Sequence, residues 1–271
     1  MDNIDMHVHT SASDGIFSPT EIVRWSKKLG LKGISITDHD TVDGIEEAIE
    51  ASKKYNDFVI IPGIEFSTLY NQIEIHILGY FIDYKNSEIV RITNNIKNYR
   101  LKRAKLIIEK LRKLNYDITL LEVYDKVKKG SIGRPHIARV LIDKGYVSSV
   151  QEAFEKLLQK GKAAYVERFK LTVDDAIKII KRANGIPVLA HPGLIDEKIN
   201  VESLIYKGIE GIEVYHTKHL PFHNKIYLRL ARKHNIFVTG GSDYHDEIVN
   251  GVPAIGKVSI SYDKIIKMKN K

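Results

Sequence analysis

The chain has no cysteine. Disulfides, thiolate zinc sites, iron–sulfur clusters and cysteine nucleophiles are thereby excluded. Any metal must be held by nitrogen and oxygen donors, which suit manganese, zinc or iron, with magnesium also compatible. No apolar run approaches the length that crosses a bilayer, so no membrane partner is expected. The first residues, Met1-Asp2-Asn3-Ile4, carry neither a basic nor an apolar leader segment, so cytoplasmic localisation is expected. There is no low-complexity tract, no internal repeat and no basic strip interleaved with aromatics, so long nucleic acid is not an expected partner. Acids are the minority charge, 34 Asp and Glu against 42 Lys and Arg, for a formal charge of +8. That excess attracts anionic partners such as phosphates, and equally fits a surface decorated with lysine. Oligomeric state leaves no legible trace.

What is present is an alternation of strands and helices. Ile4 to Val8 reads as a short strand. Ser18-Pro19-Thr20-Glu21 is a capping box with Pro at the first helical position, opening an amphipathic helix that closes at Gly30. Strands are expected at Gly33–Ile36, Phe58–Phe66, Ile73–Phe81, Ile186–Ala190, Gly211–Tyr215 and Ile236–Thr239, and helices at Thr41–Lys54, from Thr172, and at His223–His234. A last strand and helix fall within Gly256–Met268. The fold class is therefore α/β with a mainly parallel sheet, open or closed into a barrel. Between Tyr84 and Tyr165 the strand signal disappears and three or four helices follow, the first long and basic, at Asn86–Leu114. Residues 1–84 and 166–271 are expected to form the α/β body, and residues 85–165 a helical insertion placed to act as a lid.

Ionisable residues gather at the expected strand ends. His7 and His9 lie at the end of the first strand, two apart and so on one side of it. Asp38 and His39 follow the second strand in Thr37-Asp38-His39-Asp40, and Glu65 closes the third in Pro62-Gly63-Ile64-Glu65. His76 lies within the fourth, His191 ends a strand in Ala190-His191-Pro192, and Asp243 and His245 follow the last long one. In parallel α/β folds these ends converge on one face. So many ionisable groups brought together are costly to bury unless bound cations offset them, which points to a metal centre. In the insertion, Arg100 falls in the middle of the apolar arc of Ile96, Ala104, Ile107 and Leu111, with Arg103 at its edge. A phosphate contact explains an arginine aimed that way, as does an ion pair with an acid of the barrel.

In this order, His7-Val8-His9, Thr37-Asp38-His39-Asp40, Pro62-Gly63-Ile64-Glu65, His76, Ala190-His191-Pro192 and Ser242-Asp243-Tyr244-His245 resemble the PHP family, named for polymerase and histidinol phosphatase. The resemblance implies a distorted (β/α)7 TIM-like barrel with two or three divalent metal ions. It implies one ion held by His7, His9, Glu65 and Asp243, a second by Glu65, His76 and His191, and a third by Asp14, His39 and His245. Related phosphatases often have His where this chain has Asp14, and the carboxylate shifts preference toward harder ions. Glu65, Asp243 and His191 would be catalytic, while Asp38 and Asp40 would orient imidazoles or cap the following helix. Gly133-Arg134-Pro135-His136 resembles the branch that includes 3′,5′-nucleoside bisphosphate phosphatases and enzymes that trim short RNA from its 5′ end. In that reading Arg100, Arg103, Arg134 and His136 contact substrate phosphate. His216, in Glu213-Val214-Tyr215-His216, is a further candidate, and it, His219 or His223 would protonate the leaving oxygen unless all three are simply exposed. The implied activity is hydrolysis of a nucleotide or short oligonucleotide phosphoester by a water activated at the metals. The alternatives are a histidinol-phosphatase-like enzyme, an amidohydrolase, and a non-catalytic metal-stabilised scaffold.

Overall fold

The computed structural model describes residues 2–127, 132–167, 169 and 171–270. In chain order the elements are β1 (Asn3–Val8), α1 (Pro19–Lys28), β2 (Gly33–Ile36), α2 (Ile45–Ser52), β3 (Val59–Tyr70), β4 (Ile73–Tyr80) and α3 (Ser87–Lys113). Then come α4 (Leu120–Lys126), α5 (Arg134–Asp143), α6 (Val150–Ala153) and α7 (Val173–Arg182). The remainder is β5 (Ile186–Leu189), α8 (Val201–Ile205), β6 (Gly211–His216), α9 (Pro221–His234), β7 (Phe237–Gly241), β8 (Ile248–Val249), β9 (Val252–Pro253), β10 (Ile260–Ser261) and α10 (Tyr262–Lys269). Local chemistry sets several boundaries. The Ser18 hydroxyl accepts from the Glu21 N–H while Glu21 bonds back to Ser18, and Thr172 and Asp175 do the same at α7.

The chain forms two compact units, Met1–Arg91 with Lys170–Lys271, and Ile92–Phe169. The first is a distorted TIM-like barrel. Its eight-stranded sheet runs β10-β1-β2-β3-β4-β5-β6-β7. The ring closes where the segment leaving β7 returns to β1: Asp243 N–H donates to His7 O and His9 N–H to Tyr244 O, each at 2.9 Å. β10 pairs antiparallel with the opposite end of β1, through Asn3 and Ile4.

The distortion lies in β4. β1, β2 and β3 are parallel, as are β5, β6 and β7, but β4 runs antiparallel to both neighbours. Its cause is local. Only Asn71 and Gln72 separate β3 from β4, both at positive φ, and two residues make a hairpin but never a parallel crossover. The reversal brings the start of β4, with His76, to the face where the parallel strands end.

β1 is buried on both sides, Ile4, Met6 and Val8 as well as Asp5, His7 and His9. Ile4 and Met6 join Ile61, Leu78, Tyr80 and Val188 in a core that Ile265 and Met268 of α10 complete. Each such aliphatic contributes on the order of 1.5–3 kcal/mol. The second unit has its own core, built from α3 residues such as Ile107 and Leu111 with Ile137 and Leu141 of α5 and Leu158. Among the described residues no helix is long and apolar enough to cross a membrane.

Candidate metal centre

β1 supplies the first donors. His7 and His9 are buried with their Nε2 atoms 3.1 Å apart. Those nitrogens stand 3.4 and 3.3 Å from Glu65 Oε2, and 3.3 and 3.2 Å from Asp243 Oδ1. A tetrahedral ion at about 2.0–2.1 Å from its donors needs donor–donor edges of roughly 3.3–3.4 Å. The four atoms are thus spaced as a coordination shell.

Glu65 links this cage to a second. Its Oε1 lies 3.0 Å from both His76 Nδ1 and His191 Nε2, while Oε2 also faces His39 Nδ1 at 2.9 Å. Donor atoms of His39, Glu65 and His76 lie within 4.8 Å of one another, so Glu65 belongs to two donor groups, while His191 meets it only through Oε1. Around the third group, donor atoms of His9, Asp14, His39 and His245 lie within 4.8 Å of one another. His9 joins Asp14, His39 and His245 there, and His39 stands beside His76 and Glu65 as well as His245.

Cations fit these residues on one further ground. His9 Nδ1 and His191 Nδ1 are buried without a hydrogen-bond partner among the described residues. Each such group costs about 1–3 kcal/mol if nothing satisfies it. The backbone is also held in rarely adopted conformations here, with φ of 56° at Asp40, 25° at His191 and 53° at Asp243. Strain of that kind persists where surrounding structure imposes it and clusters at working sites.

The profile of the PHP domain matches residues 5–178. The chain belongs to the PHP domain family. It is 33% identical over 251 residues to the 5′-3′ exoribonuclease Rnm of Escherichia coli K12, covering 89% of this chain and 84% of that one. It is 31% identical over 256 residues to the 3′,5′-nucleoside bisphosphate phosphatase of Chromobacterium violaceum, covering 90% and 88%. A crystal structure from Bifidobacterium adolescentis, assigned as a metal-dependent phosphoesterase, superposes with a TM-score of 0.86 at 31% identity, covering 97% of this chain and 94% of that one.

Several residues of this PHP chain do other work than the sequence suggests. Asp38 accepts from Thr10 N–H at 2.7 Å and from the Thr10 and Ser13 hydroxyls at 2.8 and 2.6 Å. It steadies the loop after β1 rather than an imidazole. Asp40 brackets Glu65: its N–H donates to Glu65 O, and its carboxylate accepts from Ser67 N–H, each at 2.9 Å. His216 is buried, not exposed. Its Nδ1 accepts from Lys218 N–H at 3.2 Å, so Nε2 carries the hydrogen and donates to Asp243 Oδ2 at 3.2 Å. Both nitrogens expected to serve phosphate are therefore engaged. His219 is a brace, its Nδ1 donating to Val214 O at 2.8 Å and its Nε2 accepting from Gly193 N–H at 3.1 Å. His223 Nδ1 accepts from Leu220 N–H at the start of α9.

Within the second unit, Arg103 donates to Val166 O at 2.8 Å and Arg134 to Leu158 O at 3.2 Å, with the Arg134 guanidinium 4.9 Å from the centre of the Phe154 ring. His136 is buried, and its Nδ1 accepts from Gly133 N–H at 3.0 Å. Arg100 approaches the same glycine, its guanidinium 3.8 Å from where a Cβ on Gly133 would sit.

Two buried acids, Asp5 and Glu213, stand behind the donors without any mark in the motifs. Asp5 accepts from His7 N–H at 3.1 Å, Ser242 N–H at 2.9 Å and Gly256 N–H at 2.7 Å. Burial pushes it up to about 6 against those bonds and one from the Ser242 hydroxyl. Glu213 lies behind His7 and His191.

Burial alone would strip protons from His7, His9 and His76, but the carboxylates outweigh it; at His191 burial prevails. Glu213, Glu65 and Asp243 hold His7 well above its ordinary range, hydrogen bonds with Asp243 and Glu65 raise His9 to about 10, and Glu65 raises His76 to about 10. The same contacts hold Glu65 and Asp243 well below the usual carboxylate range against burial. Farther out burial prevails, and His245 falls to about 4. Metal and proton therefore compete for His9 and His76. In metal-free protein at pH 8 the carboxylates hold protons on His7, His9 and His76 alike, so metal binding should release protons. Apparent affinity should climb as pH rises toward 10. Calorimetry in buffers of different ionisation enthalpy checks this, and proton-neutral binding would contradict it.

Proposed function

We propose that this PHP chain is a phosphoesterase that hydrolyses phosphate esters of nucleotides, removing phosphate from 3′,5′-nucleoside bisphosphates, trimming short 5′-phosphorylated RNA, or both. The observation that carries the reading is the Glu65-centred cluster, whose donors are spaced for ions. Similarity along most of the chain to an exoribonuclease and a bisphosphate phosphatase supports the substrate class. We assign His7, His9, Asp14, His39, Glu65, His76, His191, Asp243 and His245 as ligands of two or three divalent ions, with manganese, zinc, iron and magnesium all compatible. When bound, such ions lower the pKa of a water and neutralise phosphoryl oxygens.

The chain's own residues do the rest. Glu65, Asp243 and His191 stand at the reacting centre, with the two oxygens of Glu65 keeping the donor groups in register. His216 fixes the rotation of Asp243. Recognition of substrate phosphate is assigned to the helical insertion, through Arg100, Arg103, Arg134 and His136, because guanidinium groups match phosphate oxygens in pairs. On this assignment Arg134→Ala raises KM about tenfold, the equivalent of about 1.4 kcal/mol of binding, while kcat changes less. A kcat loss without a KM change would refute it. A cytoplasmic address goes with such substrates.

A substrate panel tests the reading. Metal-reconstituted protein and its His9→Ala variant are assayed for phosphate release from adenosine 3′,5′-bisphosphate, histidinol phosphate and an aryl phosphate, and for mononucleotide release from a 5′-phosphorylated RNA trimer. The bisphosphate or the trimer should be turned over fastest, and the variant should be silent. Preference for histidinol phosphate would move the chain to that branch, and silence on all four with each metal would leave a scaffold.

A further inference from the structure

β6 carries none of the nine residues assigned as ion ligands, yet it places Glu213 directly behind them. Glu213 is fully buried. Its Oε1 lies 3.0 Å from His7 Nδ1, and its Oε2 accepts from His191 N–H at 2.8 Å. We propose that Glu213 is a positioning residue, whose single carboxylate sets the tautomer of His7 and holds the strained backbone of His191, aligning one donor in each of two ion groups. The inference rests on the cluster being an ion site.

A carboxylate is acceptor only. Facing His7 Nδ1, it keeps the ring hydrogen there and leaves the Nε2 lone pair for the cage, 3.1–3.4 Å from His9 Nε2, Glu65 Oε2 and Asp243 Oδ1. The opposite tautomer would point N–H into the cage and bar an ion. The other oxygen acts through the main chain. His191 has φ 25° and ψ 59°, outside the regions ordinary residues favour. Its N–H bond to Glu213 holds that turn while its Nε2 reaches Glu65 Oε1 at 3.0 Å.

Glutamine at 213 has the same shape but cannot do both jobs. Its one oxygen accepts from either His7 or His191, and its amide group then points N–H at the other. Toward His7 that favours the excluded tautomer, and toward His191 it sets donor against donor. Orienting partners of metal-bound histidines are worth roughly 10–100-fold in metal affinity.

The test is zinc binding by wild type and Glu213→Gln, with zinc chloride alone as the probe, read as affinity and bound equivalents, together with circular dichroism. The variant should keep its fold, bind 10–100-fold more weakly and retain fewer ions. Wild-type affinity and stoichiometry in the folded variant would overturn the proposal. If wild type itself binds no zinc, the ion-site reading fails and the inference falls with it. Should the variant not fold, nitrogen NMR of zinc-loaded wild type decides. His7 with hydrogen on Nδ1 and zinc on Nε2 supports the proposal, and zinc on Nδ1 overturns it.

Discussion

Replacing Glu65 with glutamine should cost about 10³-fold in turnover, the upper range seen when one preorganised hydrogen-bond donor at a reacting centre is removed. Five imidazoles, those of His7, His9, His39, His76 and His191, lie within 3.4 Å of its two oxygens. An amide oxygen can face one group, but the amide nitrogen cannot face the other. The metal-free protein should suffer too. There Glu65 is an anion that keeps His7, His9 and His76 charged against burial, and breaking a buried charge pair costs about 3–5 kcal/mol. For a chain of this size that corresponds to a fall in Tm on the order of 10 °C. Steady-state assays and calorimetry of both forms check the two halves separately. Turnover within tenfold of wild type would remove Glu65 from the centre, and an unchanged metal-free Tm would remove its structural half.

The second large effect is expected at Gly241, and it lies in the closure rather than the chemistry. A Cβ on Gly241 would sit 2.4 Å from both N and Cβ of His7 and 2.9 Å from the Asp5 carboxylate. These are atoms of the neighbouring strand, and that strand cannot move away without breaking the Asp243–His7 and His9–Tyr244 backbone bonds. Gly241→Ala is therefore expected to destabilise by about 3 kcal/mol or more, at the upper end of overpacking costs. It should also weaken metal binding by displacing His7. Urea unfolding followed by fluorescence measures the first effect, and a midpoint equal to wild type with an unchanged slope would contradict it.

What could be read from the sequence follows from geometry. His7, His9, Glu65 and Asp243 were legible because parallel strands end on one face, and position along a strand is itself legible. His76 was assigned to a strand without its direction. The two-residue gap at Asn71-Gln72 holds the missing information, since it permits only a hairpin, and reversal is what carries His76 to that face. Asp5 also leaves a signal, because it shares the side of β1 with His7 and His9 by the two-residue period. Glu213 leaves a fainter one, an acid between Ile212 and Val214 in a strand too short and apolar to face water. The role of His216 leaves none. Its position after a strand makes it look like another donor, and only the Lys218 N–H settles which nitrogen carries hydrogen. The Arg103 and Arg134 contacts are equally invisible, because Val166 and Leu158 offer backbone carbonyls and any sequence would.

In this reading the histidine and carboxylate cluster is a metal centre at which phosphoesters are hydrolysed. Its most direct test is phosphate release from adenosine 3′,5′-bisphosphate by chelator-treated protein titrated with manganese, with bound metal counted at each point. The chelated protein should be silent, and activity should rise with bound equivalents to a plateau at two or three per chain. Full turnover with less than about one tenth of an equivalent bound would show catalysis without the centre and overturn its assignment.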